Sequence, residues 1–262
     1  MSLLNPFTPL NPPIASFAGL RVWLVGASTG IGAALAEQLI AAGAQVAVSA
    51  RSRDTLEARF AGRARVLPLD MTDAAALQAG AAELVGAWGG FDLVLAIAGT
   101  YAQMRADKYD HAGAERVLEV NLGGVFKLYA AVQAQLLAQG KGGFGIVSSV
   151  AGYGGLPNSM AYGASKAACN NLAQSMYLDL RRRGIAVYLV APGFVDTPLT
   201  AGNRFPMPFL ISAEEAARQI MRGLARGEFE IHFPKAFSRL LKAPNLLPHR
   251  LYFWLVRLGT GM

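Results

Sequence analysis

The sequence predicts an α/β fold: a doubly wound parallel sheet of about seven strands, with helices on both faces and a C-terminal helical tail. From Leu20 onward, short apolar runs rich in Val, Leu and Ala alternate with longer segments of helical period, as repeated strand-helix-strand units require. Several runs, such as Val22–Val25 and Leu93–Ala98, are apolar on both faces and suit strands covered from each side. Right-handed crossovers then place a ligand site outside the carboxyl ends of the strands, where the strand order reverses.

The elements follow in order. Residues 1–19 are expected to form an irregular arm; the segment has no positive leading region and is interrupted by four prolines, which argues against a signal peptide or transit sequence. The body, residues 20–233, carries strands near Leu20–Val25, Gln45–Ala50, Arg65–Leu69, Leu93–Ile97, Gly145–Ser148, Ala186–Val190 and Phe229–His232. Helices fill the gaps over Ile31–Ala42, Asp73–Trp88, Ala112–Ala138, Ser159–Arg182 and Ala213–Ala225. A tail, residues 234–262, begins at Pro234, and its helical apolar stripes are broken by Pro244 and Pro248.

Bulk properties narrow the function. At 262 residues one domain suffices. Hydrophobic residues make up 53% of the chain and the mean hydropathy is +0.32, yet no stretch offers the roughly 18 to 20 uninterrupted apolar residues of a membrane span. One cysteine, Cys169, excludes a disulfide framework and a cysteine-based zinc site, and points to the cytoplasm. The net charge is +7, much of it in Lys235, Arg239, Lys242, Arg250 and Arg257. No basic and aromatic interleaving elsewhere suggests nucleic acid. The basic, apolar tail has three uses open to it: docking on the body, an oligomer contact, or peripheral membrane contact with Tyr252, Phe253 and Trp254 in a bilayer interface.

The first strand is followed by Gly26-Ala27-Ser28-Thr29-Gly30-Ile31-Gly32 and a helical run. Glycine there lets the turn tighten and lets backbone N–H groups at the helix start approach a pyrophosphate, so a dinucleotide is the natural ligand. The spacing G-x-x-x-G-x-G differs from the G-x-G-x-x-G fingerprint. Gly26 to Gly30 also satisfy the G-x-S-x-G elbow of serine hydrolases, with Ser28 as nucleophile and Asp196 and His232 as the available partners. Too few strands precede the loop to favour that alternative. Where NAD-specific proteins place a carboxylate on the ribose hydroxyls, this chain has Ala50 and Arg51; a guanidinium matches a 2′-phosphate, so NADP(H) is expected over NAD(H).

The stretch Ser148 to Lys166 carries most of the chemistry. Tyr162 and Lys166 lie four apart, on one face of a helix. A free tyrosine titrates near about 10, too high for a base at neutral pH. Nearby ammonium and pyridinium charges stabilise the phenolate, and Ser149, at a strand end, is placed to donate to a substrate oxygen.

Seven motifs give this stretch a context: GASTGIG at Gly26–Gly32, LDMTD at Leu69–Asp73, AIAG at Ala96–Gly99, VNLGG at Val120–Gly124, SSVAG at Ser148–Gly152, YGASK at Tyr162–Lys166 and PGFVDT at Pro192–Thr197. In their order and spacing the chain resembles the short-chain dehydrogenase/reductase family from about Leu20 to His232, in its single-domain, NADP-preferring branch. The resemblance implies a Rossmann-like oxidoreductase that passes a hydride between NADP(H) and a carbonyl or alcohol carbon. It implies Tyr162 as acid/base, Lys166 on the nicotinamide ribose lowering the tyrosine pKa, Ser149 orienting the carbonyl, and Asn121 completing a proton relay through a water. By the same carry-over Asp70 and Met71 border the adenine and Ala98 and Gly99 the adenosine ribose. Pro192 and Gly193 flank the cofactor, with Val195 and Thr197 at its carboxamide. Two positions depart from the family pattern: Val25 replaces the usual Thr, and Ala96-Ile97-Ala98-Gly99 replaces Asn-Asn-Ala-Gly.

A non-catalytic nucleotide sensor is the main alternative, though such a protein would normally have lost Tyr162 or Lys166; a lyase or epimerase on the same scaffold is another. Substrate contacts are expected from Tyr101, Met104, Tyr153, Leu156 and the loop Leu199–Leu210, mostly apolar, which suits a hydrophobic carbonyl or alcohol. His111, His232, His249 and Cys169 read as structural or surface residues. Relatives imply a homodimer or homotetramer.

Overall fold

Along β1 (Arg21–Val25) successive side chains enter two separate cores. Trp23 and Val25 pack on one face of the sheet, Val22 and Leu24 on the other, which is why the run is apolar throughout. The computed structural model describes residues 8–203 and 206–261; residues 1–7 of the arm, Arg204 and Phe205 of the expected substrate loop, and Met262 of the tail lie outside the described residues.

β2 (Gln45–Ser49), β3 (Arg65–Val66), β4 (Leu93–Ala96), β5 (Gly143–Val147), β6 (Ala186–Pro192) and β7 (Glu230–Phe233) complete a seven-stranded sheet in the order β3-β2-β1-β4-β5-β6-β7. Every pair is parallel, and the order reverses between β1 and β4. Helices α1 (Gly30–Ala41), α2 (Arg53–Phe60) and α7 (Ala213–Ala225) cover one face. The other is covered by α3 (Ala74–Trp88), α5 (Gly124–Gln139) and α6 (Met160–Leu180). The doubly wound architecture expected from the sequence is therefore the one observed.

Two helical expectations change. The single helix expected over Ala112–Ala138 is α4 (His111–Leu118) and α5 joined by a π-helical turn at Glu119–Gly123. No helix is expected between the second and third strands, yet α2 forms there. It is mostly polar and buries only Leu56 and Phe60, one turn apart, with Ser52 accepting the Thr55 N–H at its start. The tail folds as α8 (Lys235–Lys242) and α9 (His249–Thr260), separated by a short turn containing Pro244. Phe237 of α8 is buried, and Ser238 shares a 2.6 Å hydrogen bond with His232. Lys242 pairs with Glu230, which also accepts the Tyr153 hydroxyl at 2.8 Å.

The described part of the arm, residues 8–19, has a specific task. Asn11 is 3% exposed; its amide donates to the Val187 carbonyl at 2.7 Å and its oxygen accepts the Val187 N–H at 3.1 Å. β7 begins too late to reach Val187, so one side chain supplies the pair of bonds a strand would have made. The Tyr177 hydroxyl adds a 3.0 Å bond to the Leu10 carbonyl, tying the end of α6 to the arm. Asn11→Ala orphans two buried backbone groups and is expected to cost about 2 to 4 kcal/mol in urea unfolding, whereas Leu10→Ala should be near neutral. Equal midpoints for the two variants would refute the clasp.

Candidate active site

A cleft of about 730 Å³ runs along the carboxyl ends of the strands, and every catalytic and cofactor-binding residue expected from the sequence lines it except Asn121. Its first wall is the β1–α1 turn. The Val25 carbonyl accepts both the Ile97 and the Ala98 N–H at 2.8 Å, drawing β4 against β1. Backbone bonds thus brace the sheet where the family's threonine hydroxyl is missing. Gly26, at φ +109°, has no room for a side chain: a Cβ would lie 2.2 Å from the Ala98 nitrogen. A Cβ on Gly32 would strike the Gly26 carbonyl at 2.1 Å. Thr29 caps α1 in an extended conformation without a side-chain bond to the first turn. The first-turn N–H groups and the positive helix end therefore face the cleft without a side-chain partner, an arrangement that fits a phosphate.

The neighbouring strand ends supply the next wall. Arg51 follows β2, is exposed, and forms no ion pair among the described residues. The Thr72 N–H and hydroxyl, each 2.8 Å from Asp70, hold its carboxyl below the usual range, with Arg51 contributing more weakly. Met71 is buried against Gly124, and Ala98 and Gly99 continue the wall from β4.

Asn121 stands one layer behind. Its side chain donates to the Thr100 carbonyl and the Ser165 hydroxyl, each at 3.0 Å, and accepts the Thr100 N–H at 2.8 Å. Its own carbonyl accepts the Cys169 thiol at 3.2 Å. The π-helical turn aims this asparagine at the loop after β4.

The reactive end of the cleft gathers Ser149, Tyr162 and Lys166. Ser149 follows β5, starts the short turn Val150–Gly152, and its hydroxyl reaches toward the Pro192 carbonyl at 3.5 Å. Tyr162 and Lys166 project from the first turns of α6, with the amine 5.7 Å from the phenol ring centroid. Lys166 is buried and donates to the Val147 carbonyl at 2.9 Å. Burial lowers its pKa, and burial also pushes the Tyr162 phenol up to about 12, against a hydrogen bond from Ser149 that acts downward. The Lys166 amine is held by the Val147 carbonyl, and the burial that raises the phenol outweighs the downward influence on it. Tyr101 packs edge-on against Tyr162 at 5.1 Å.

Supporting residues went unread in the sequence. Ser148 donates to Asn170 at 2.6 Å and Asn170 to the Gly152 carbonyl at 2.9 Å, fixing the turn after Ser149 to α6. Ser148 sits in the SSVAG motif, so a signal was present; Asn170 had none. Of the expected substrate contacts, Leu199 lines the cleft, while Met104 is buried beside Ala161 and Val117. Tyr153 is bonded to Glu230 instead. The hydrolase alternative loses its partners, since His232 is bonded to Ser238 and neither it nor Asp196 lines the cleft with Ser28. Among the described residues no cluster of side chains could hold a metal ion.

The chain is similar to known proteins. Residues 21–206 match the short chain dehydrogenase family. The chain is 34% identical over 235 residues to an uncharacterized oxidoreductase of Myxococcus xanthus, covering 87% of this chain and 93% of that protein. It is 37% identical over 220 residues to the cis-4-hydroxycyclohexanecarboxylate dehydrogenase of Sinomonas cyclohexanicum, covering 81% and 86%. A crystal structure of a short chain dehydrogenase from Burkholderia cenocepacia in complex with NADP superposes with a TM-score of 0.82 at 23% identity, over 92% of this chain and 98% of that one. Fold, motif order and relatives agree, and the chain belongs to the short-chain dehydrogenase/reductase family of oxidoreductases.

Proposed function

We propose that the protein is an NADP(H)-dependent oxidoreductase that interconverts a carbonyl and an alcohol on an apolar substrate, with Tyr162 as its acid/base. The observation that carries this reading is the convergence of a phenol, an amine and a serine hydroxyl at one end of a cleft whose other end holds the α1 N-terminus and Arg51. The NADP bound by the Burkholderia neighbour supports the same reading.

The cofactor, when bound, supplies or accepts the hydride. Uncapped N–H groups of α1 would hold its pyrophosphate, and Arg51 its 2′-phosphate. The chain's own groups handle the proton. A buried phenol with a pKa of about 12 is protonated at neutral pH, so Tyr162 donates to a substrate oxygen in the reductive direction. Ser149, which acts downward on the pKa of that phenol, would share the same oxygen. Lys166, whose amine lies 5.7 Å from the Tyr162 ring centroid, would hold the ribose hydroxyls of the cofactor. In oxidation the steps reverse. A sensor would have no use for this proton-handling set.

Three measurements test the reading. Tyr162→Phe should bind NADPH as tightly as the parent while ketone reduction falls about a hundred- to ten-thousand-fold; a rate near that of the parent removes Tyr162 from its role. Arg51→Ala should raise the KM for NADPH about ten- to a hundred-fold and leave that for NADH nearly unchanged, and a parallel change in both would contradict the 2′-phosphate assignment. Because burial raises the phenol pKa, its donor form persists as pH rises. The kcat/KM for reduction should therefore show no alkaline loss from this group between about pH 6 and pH 9; a fall centred near about pH 8 with cofactor affinity constant would disprove it.

A further inference from the structure

The tail turns one face to the body and leaves the other bare. In α9 Tyr252 is buried, its hydroxyl donating to the Gly155 carbonyl at 2.7 Å, and Leu255 and Val256 are half-buried beside it. Positions three, four and seven apart share a helical face. On the far side of α9, Leu251, Trp254 and Leu258 therefore make one stripe and Arg250 and Arg257 the next. All five are exposed, Trp254 at 60% and Leu258 at 70%. The turn ahead of α9 adds Leu247 and Leu246, the latter 88% exposed. A contiguous apolar surface of this kind marks an interaction site.

Charge narrows the choice of what covers it. After Glu230 the chain has no acidic residue, while Lys235, Arg239, Lys242, Arg250 and Arg257 are basic. Lys235 and Lys242 are engaged with Glu228 and Glu230 at the sheet edge. The three arginines stand exposed. A second copy meeting this face with its own would set cations against cations, since a two-fold contact uses the same patch twice. An anionic bilayer instead offers phosphates to the arginines and an apolar boundary to Trp254 and the leucines. The attachment must lie along the surface. The 12 residues of α9 span about 18 Å, against a hydrocarbon core of roughly 30 Å. No helix among the described residues is long and apolar enough to cross a membrane.

We propose that α9 and the Leu246-Leu247 turn dock this protein on the surface of a bilayer containing anionic phospholipid. Leu251, Trp254 and Leu258 enter the interface, and Arg250 and Arg257 meet the lipid phosphates. Tyr252 then ties the docked helix to the loop that joins Ser149 to Tyr162. Docking does not depend on which reaction the cleft performs.

Flotation of the full chain with vesicles tests this. It should rise with vesicles of phosphatidylcholine and phosphatidylglycerol at about 2:1, bind phosphatidylcholine alone at least about tenfold more weakly, and lose the difference in high salt. The double variants Trp254→Ser/Leu258→Ser and Arg250→Glu/Arg257→Glu should each weaken binding at least about tenfold while keeping the parent unfolding midpoint, because all four positions are exposed. Tryptophan emission should shift to the blue on adding the anionic vesicles, and the shift should vanish in Trp254→Phe. A full chain that stays with the soluble fraction in both vesicle types overturns the proposal, as does binding that neither double variant weakens. Light scattering adds a further check: if Trp254→Ser/Leu258→Ser dissociates an oligomer in the absence of lipid, a second copy covers this face and the bilayer does not.

Discussion

The site depends on how closely β1 and β4 approach at the point where the strand order reverses. One carbonyl, that of Val25, holds two consecutive N–H groups of the β4 exit, and the absent side chain of Gly26 lets the two loops pass within backbone contact. Beyond that pinch the loops diverge to opposite faces of the sheet and leave a crevice between them. The α1 N-terminus opens into one side of it and the residues after β5 and β6 into the other. A Cβ at position 26 would have to push β4 outward, and the groups arranged around the crevice would move with it.

Burial shapes the chemistry at the reactive end. Removing water penalises charge of either sign, so the same environment raises the phenol of Tyr162 and lowers the amine of Lys166. Both are pushed toward their neutral forms, so the phenol keeps its proton. The surrounding bonds fix geometry more than charge: Ser148, Asn170 and the Gly152 carbonyl link the turn after β5 to α6, so the serine and the tyrosine are held by one connected set of contacts. The tail extends that set outward through Tyr252 and through the cluster of Tyr153, Glu230 and Lys242.

What the sequence revealed follows from where its signals are local. Strands apolar on both faces, the glycines of the first turn and the four-residue spacing of Tyr162 and Lys166 are patterns within one element, and the structure brings these residues to one cleft. Contacts between distant segments left no such trace. Asn11 looks like any polar residue in a proline-rich arm until Val187 is placed beside it, and Met104 looks like a pocket residue until α4 and α6 close over it. The helix at Arg53–Phe60 was hidden because two buried side chains one turn apart, among charged neighbours, give too little periodicity to register. The π-helical turn was unreadable for a different reason: one extra residue in a turn leaves the apolar pattern on either side almost unchanged.

The clasp between Asn11 and Val187 also orders events during synthesis. Its two halves lie 176 residues apart, so at roughly 5 to 20 residues per second the arm leaves the ribosome about 9 to 35 seconds before the strand it completes. Throughout that interval the nascent chain must keep its first segment uncommitted, and the sixth strand, once made, waits only for a partner already present.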